Sequence, residues 1–127
     1  SPSLDERAAQ LTQAVSVGAT NTSQGPSSGN GWKNGQNPGV FYAFFPNLDV
    51  LSLDKKIQAS AERLGWKSSS SLDLDETQLR LARAVLGSDP PRGTRGLNFL
   101  LGERVRGVAV IVPTTGGGSE LHLVAPL

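Results

Sequence analysis

Apolar residues recur at helical spacing near the start of the chain. Ser3 and Glu6 stand three residues apart in Ser3-Leu4-Asp5-Glu6, the spacing of a capping box in which each side chain binds the other residue's backbone N–H. The apolar positions that follow lie on one stripe of a helix and are Leu4, Ala8, Leu11 and Val15. The pattern predicts an amphipathic N-terminal helix over residues 1–16.

Two further helices are predicted in the middle of the chain. Ser52 can cap a helix that runs to Leu64, and Gly65 follows it as a left-handed stop. Asp73, with Glu76 three residues later, opens another helix that ends before Pro90. Between these helices, residues 67–72 are compatible with a short polar strand or a loop.

The remaining apolar segments are short and predict strands. Residues 40–46 form an apolar and aromatic run between turn signals, which favours a strand buried on both faces. Three more runs, at 97–101, 105–112 and 121–125, predict a C-terminal meander with Gly116 to Gly118 in its last hairpin. Alternation in the last run places Leu121 inward and puts Glu120 and His122 together on an outward, solvent-facing side.

Residues 17–39 show no apolar periodicity and are rich in Gly, Ser and Asn, so we expect a long loop. Trp32 within it would serve either as an anchor that holds the loop down or as an exposed platform for a partner. The elements together predict one domain over 1–127: an N-terminal helix at 1–16, this loop, and a main body at 40–127. The predicted class is α+β, a small antiparallel or mixed sheet with about three helices packed mainly on one face.

Composition narrows the class of protein further. The 127 residues contain no Cys, which excludes disulfides, thiolate nucleophiles and cysteine-bound metals, and no apolar run is long enough for a membrane span. The chain starts at Ser1 instead of Met, so we expect an upstream segment to have been removed. Together with the abundance of Ser, Thr, Asn and Gly, this favours an exported bacterial protein, periplasmic or extracellular.

The net charge of +1 conceals a basic segment. Residues 79–107 contain six arginines and two acidic residues, a net charge of +4. Planar guanidinium groups beside glycines are suited to carboxylates and phosphates. The candidate binding residues are Arg80, Arg83, Arg92, Arg95, Arg104, Arg106 and Trp32.

Candidate catalytic chemistry is sparse. General acid–base catalysis most often uses His, and the chain has one, His122, which could pair with Glu120. A single His with scattered carboxylates does not predict a metal site, and no cofactor motif is present.

The sequence therefore favours a non-enzymatic binding or assembly domain that acts through contacts with another protein or with its own copies. The alternative is a nucleic-acid-binding module that uses the arginine-rich surface at 80–106. An enzyme built around Glu120 and His122 is the third interpretation.

Overall fold

The computed structural model, which describes residues 1–26 and 39–127, contains three helices and six strands in those ranges. The elements are α1 (Leu4–Val15), β1 (Asn21–Pro26), β2 (Gly39–Phe45), α2 (Val50–Arg63), β3 (Lys67–Ser71), α3 (Glu76–Leu86), β4 (Arg95–Leu101), β5 (Arg104–Pro113) and β6 (Ser119–Val124). The predicted α+β class is confirmed.

All six strands form one antiparallel sheet in the order β1-β2-β6-β5-β4-β3. Strands β4, β5 and β6 are the predicted meander. Strand β2 pairs with β6 on one side and β1 on the other, and β3 pairs with β4. The two edges of the sheet are therefore β1 and β3, two of its most polar strands.

Side-chain alternation gives the sheet two buried faces. Helices α1 and α2 cover one face, where the larger core gathers around Leu11, Phe45, Ile57, Phe99 and Leu121. Helix α3 packs on the other face, where Leu81 and Ala82 contact a cluster built mainly from Val108, Val110, Val112 and Val124. The helices thus lie two on one face and one on the other, because the valines of β5 point away from the larger core.

The helix starts follow capping chemistry, at partly different residues from those predicted. The capping box of α1 is confirmed, with Ser3 N–H donating to Glu6 Oε1 at 3.0 Å. Helix α2 is capped by Asp49, which accepts from the backbone N–H of Ser52, so Ser52 lies inside the first turn. Helix α3 is capped by Asp75 paired with Gln78. The Asp73–Glu76 start is therefore wrong by two residues, since Asp73–Glu76 and Asp75–Gln78 both have the spacing of a capping box.

The structure differs from the prediction within residues 17–39, where Asn21–Pro26 form strand β1 instead of loop. This strand has few residues of high β propensity, and its pairing with β2 in the register Asn21↔Phe44 accounts for its conformation. Trp32 lies in 27–38, outside the described residues, so its two interpretations stay predictions.

Candidate functional site

Strand β3 forms an open edge of the sheet. Its sequence is Lys-Ser-Ser-Ser-Ser, and its register with β4 runs from Lys67↔Leu100 to Ser71↔Gly96 without a bulge. Lys67, Ser69 and Ser71 are exposed, while the two residues between them are half-buried. An antiparallel edge strand presents backbone N–H and C=O groups outward at every second residue, which is a template for a further strand.

A polar network on the α2 side fixes β3 in place. Ser70 Oγ donates to Asp54 Oδ2 at 2.7 Å, and Ser68 Oγ donates to Gln58 Oε1 at 3.0 Å. Gln58 Nε2 also donates to Asp54 Oδ1 at 2.7 Å. These bonds hold a strand that has no apolar side chain of its own to bury, and they use its side chains instead of the backbone groups of its outer edge.

Arg95 belongs to this network. Its Nε donates to Asp54 Oδ2 at 2.9 Å, and its side chain is 21% exposed while that of Asp54 is 3% exposed. Burial of a carboxylate is costly unless it is paired and hydrogen-bonded, and Arg95, Ser70 and Gln58 together meet that requirement. Arg95 therefore supports β3 from the face of the sheet that α2 covers.

The two arginines of α3 lie on the opposite face. Arg80 approaches Glu76 at 3.7 Å, an exposed pair one helical turn apart. Arg83 Nε donates to Asp89 Oδ1 at 2.8 Å, and this pair is exposed as well. Exposed ion pairs of this kind contribute about 0–1 kcal/mol to stability. Because both arginine side chains are exposed, their guanidinium groups remain accessible to a partner.

The other three arginines are spread along the β4–β5 hairpin. Arg92 is exposed in the turn before β4, and Arg104 is exposed where β5 begins, roughly 20 Å away at the other end of the hairpin. Arg106 has no partner in the register between β4 and β5 and donates to the backbone O of Leu127 at 3.3 Å. The six arginines thus do not converge on one surface, and a nucleic-acid role stays a prediction.

Glu120 and His122 do share one face of the sheet, as predicted, and Tyr42 joins them from β2. The Tyr42 hydroxyl donates to Glu120 Oε2 at 3.2 Å, and His122 Nε2 lies 3.5 Å from Glu120 Oε1. The rings of Tyr42 and His122 are 5.3 Å apart between centroids. His122 is only 7% exposed, so the expectation that it faces solvent is wrong. Burial of the α3 side of the sheet extends across β6.

Burial sets the protonation of this cluster. It lowers the pKa of His122 because the imidazolium loses solvation, and the nearby Glu120 carboxylate opposes that shift without cancelling it. The pKa of Tyr42 is raised, first by burial and then by the charge of Glu120. Both rings of the cluster are therefore neutral at neutral pH.

Residues 1–26 and 39–127 contain neither a cluster of metal-ligating side chains nor a helix that could span a membrane. No three His, Asp or Glu side chains stand together there as metal ligands would. Within the same ranges, no helix combines the length and the apolar character needed to cross a bilayer.

Comparison with models of protein families, with curated proteins and with solved structures finds no match to this chain. The sequence of residues 67–72 fits either a strand or a loop, and it predicts Tyr42 only as part of a buried strand. The alternation of Phe41, Tyr42 and Ala43 could have placed Tyr42 on the face of His122, but not the pairing of β2 with β6.

Proposed function

We propose that this chain is a non-enzymatic assembly domain that joins a second copy of itself through strand β3. The observation that carries the proposal is an edge strand that α2 holds through Ser68 and Ser70, and whose outer edge pairs with no other strand in residues 1–26 and 39–127. Natural edge strands are usually protected by proline, by a bulge, by charged side chains or by being very short. Strand β3 has no proline and no bulge over its five residues, and its one charged residue, Lys67, stands at its end and leaves the four serines unprotected.

A two-fold axis through Ser69 pairs all five residues of both strands. Antiparallel pairing about that axis places Lys67 opposite Ser71 of the second copy, where that strand ends and its chain bends toward Asp73. Lys67 of each copy then stands near the bend that carries Asp73 of the other copy. Lys67 and Asp73 are both exposed, so each dimer gains two pairs of opposite charge. This complementarity favours a second copy as the occupant of the edge.

The fixed conformation of β3 lowers the cost of association. A strand that must be ordered on binding gives up conformational entropy at that moment, at about 1–2 kcal/mol per residue for the backbone. The bonds of Ser68 and Ser70 to α2 order β3 before any partner arrives. One short strand pair still buries less than the roughly 1,000 Å² of a stable interface, so we expect a reversible, concentration-dependent dimer.

The charge pattern gives a sharp test by sedimentation velocity from micromolar to millimolar protein. We expect Lys67→Glu to weaken the dimer, because Glu would then lie near Asp73 of the second copy. The double variant Lys67→Glu/Asp73→Lys restores the opposite charges and should recover the dimer. Lys55→Glu makes the same charge change at an exposed position on α2 and should have no effect.

Three results would overturn the proposal: a wild-type chain that stays monomeric at millimolar concentration, a Lys67→Glu variant that dimerises as well as wild type, or a double variant that does not recover. Catalytic turnover that disappears in His122→Ala would contradict the non-enzymatic part.

A further inference from the structure

A small open cleft lies between the end of α1 and the second half of α2. Its volume is about 250 Å³. Pockets for drug-sized ligands measure roughly 300–1,000 Å³, so this cleft has room for a smaller molecule. The residues that line it are Ala14, Val17, Lys56, Ser60, Arg63 and Leu64.

Two cationic side chains line the cleft, Lys56 and Arg63, and none of its lining residues is acidic. Within residues 1–26 and 39–127 neither cation forms an ion pair, and the sequence of 27–38 contains no Asp or Glu. Burial lowers the pKa of Lys56, the direction expected for an ammonium group that no carboxylate stabilises. The cleft therefore carries positive charge without a counterion from the chain.

Both cations are oriented at the cleft and keep free donors. Lys56 Nζ donates to the backbone O of Val17 and lies 5.1 Å from the centroid of the Phe45 ring. Arg63 Nη2 donates to Ser60 Oγ at 3.3 Å, and Ser60 is buried. An ammonium group has three N–H donors and a guanidinium has five, so each bond leaves donors for an anion.

The helix ends beside the cleft do not oppose an anion. The carbonyl groups at the C-terminal end of a helix carry partial negative charge, which repels anions. Here cations already bond two of these carbonyls, since Lys56 donates to Val17 and Arg7 Nη2 donates to Leu64 at 2.9 Å. Arg7 thus adds a third positive charge next to a residue of the lining.

The apolar part of the lining is open to solvent. Val17 is 64% exposed, and Ala14 and Leu64 are half-buried. Covering apolar surface of this kind is favourable in water. A ligand that complements the whole cleft therefore combines an anionic group with a short apolar chain.

We propose that the α1–α2 cleft binds a short-chain alkyl carboxylate. Arg63 donates hydrogen bonds to the carboxylate, and the positive charge of Lys56 adds to the attraction. Guanidinium groups match the planar geometry of carboxylates, which makes Arg63 the main anchor. The alkyl chain covers Val17, Ala14 and Leu64.

Inorganic anions and neutral apolar molecules complement the cleft less well. Phosphate or sulfate would use the two cations and leave the apolar lining in water. An alcohol of the same chain length would cover the apolar lining and leave both cations without a counterion. Each alternative uses only one of the two properties of the cleft.

The test is a titration with sodium hexanoate, followed by NMR chemical shifts of Val17, Ser60, Arg63 and Leu64. We expect saturable shifts at these residues. Acetate has the charge with almost no chain, 1-hexanol has the chain without charge, and n-hexylammonium has the chain with the opposite charge. All three should bind more weakly than hexanoate.

Two variants separate the charged and the apolar contributions. Arg63→Gln removes the charged hydrogen bond and should weaken hexanoate binding by about tenfold or more. Val17→Ser keeps both cations, so it should weaken hexanoate binding and leave the weak binding of acetate unchanged. Arg104→Gln is the matched control, because it makes the same change at an exposed arginine outside the cleft and should bind as wild type does.

Three results would overturn the proposal: hexanoate gives no saturable shifts, 1-hexanol or n-hexylammonium binds as well as hexanoate, or Arg63→Gln binds as wild type does. If Arg63→Gln does not fold, unchanged hexanoate binding by Val17→Ser has the same consequence.

This site is independent of the assembly proposal, since Lys67 does not line the cleft. Hexanoate binding by the monomeric Lys67→Glu variant should therefore equal that of wild type, so the two proposals can fail separately.

Discussion

At the scale of single residues, the arginines show what local sequence can and cannot predict. The spacing of Arg92 and Arg95 beside glycines indicated two equivalent, exposed guanidiniums. The structure separates them, because the partner of Arg95 is Asp54, 41 residues earlier in the chain. That pairing depends on where α2 and β4 meet in the fold, and no pattern within the arginine segment reports it.

Replacing Arg95 tests this separation. Arg95→Ala leaves the buried carboxylate of Asp54 without its cation, and we expect a loss of about 2–4 kcal/mol in the free energy of unfolding. Arg92→Ala removes an exposed side chain and should change stability by no more than about 0.5 kcal/mol. Urea denaturation of both variants gives the comparison. Equal effects would show that the Asp54 network does not depend on Arg95.

His122 gives a pH dependence at the same scale. Its folded pKa lies below the ordinary value of 6.5, so between the two pKa values the unfolded chain binds more protons than the folded one. The stability that neutral His122 contributes is therefore present above 6.5 and is lost as the pH falls through that window. The groups that face it are Tyr42 from β2 and Glu120 from its own strand, while β5 contributes the uncharged Val110.

Urea denaturation from about pH 8 to about pH 5 should show this loss in the wild-type chain and a smaller one in His122→Gln. The carboxyls whose pKa is lowered by capping bonds, Glu6 and Asp49, titrate below this range. An identical pH slope in both proteins would contradict the burial of His122.

At the scale of elements, signals carried by neighbouring residues were the most informative. The α1 capping box, the meander and the Gly116–Gly118 hairpin were all predicted from short spacings. Strand β1 was missed because its residues have low β propensity and its conformation comes from pairing with β2. The sequence of β3 fits either a strand or a loop for a related reason, since its serines are held by side chains of α2 and not by an apolar core.

The last hairpin contains glycines with different requirements. A Cβ on Gly118 would lie 2.6 Å from the carbonyl oxygen of Phe45, a backbone atom, whereas a Cβ on Gly116 would meet nothing within 4 Å. We expect Gly118→Ala to cost about 1–3 kcal/mol of stability, because backbone must move to admit the methyl group. Gly116→Ala should be neutral within about 0.5 kcal/mol. Thermal unfolding of the pair measures the difference, and a neutral Gly118→Ala would refute the close approach.

At the scale of the whole molecule, the central strands of the sheet are covered by helices, and its two margins, toward β3 and toward β1, differ from each other. Helices cover the central strands on both faces, two on one face and one on the other. Periodicity and composition were sufficient to predict the α+β class, with the helices mainly on one face. The edge of β3 at one margin carries the proposed assembly function, and the Tyr42–Glu120–His122 cluster lies toward the other margin. Both depend on long-range pairing of strands, so the sequence indicated Glu120 and His122 without their partner Tyr42 and did not indicate the edge.

The most direct test of assembly through β3 is backbone amide hydrogen exchange in this strand as a function of protein concentration. Pairing about Ser69 should protect the outward-facing amides of Lys67–Ser71 at millimolar concentration and leave them unprotected at low micromolar concentration. The amides that already pair with β4 should be protected at both concentrations. Exchange in β3 that does not change with concentration, in a chain that remains folded throughout, would contradict the proposed assembly.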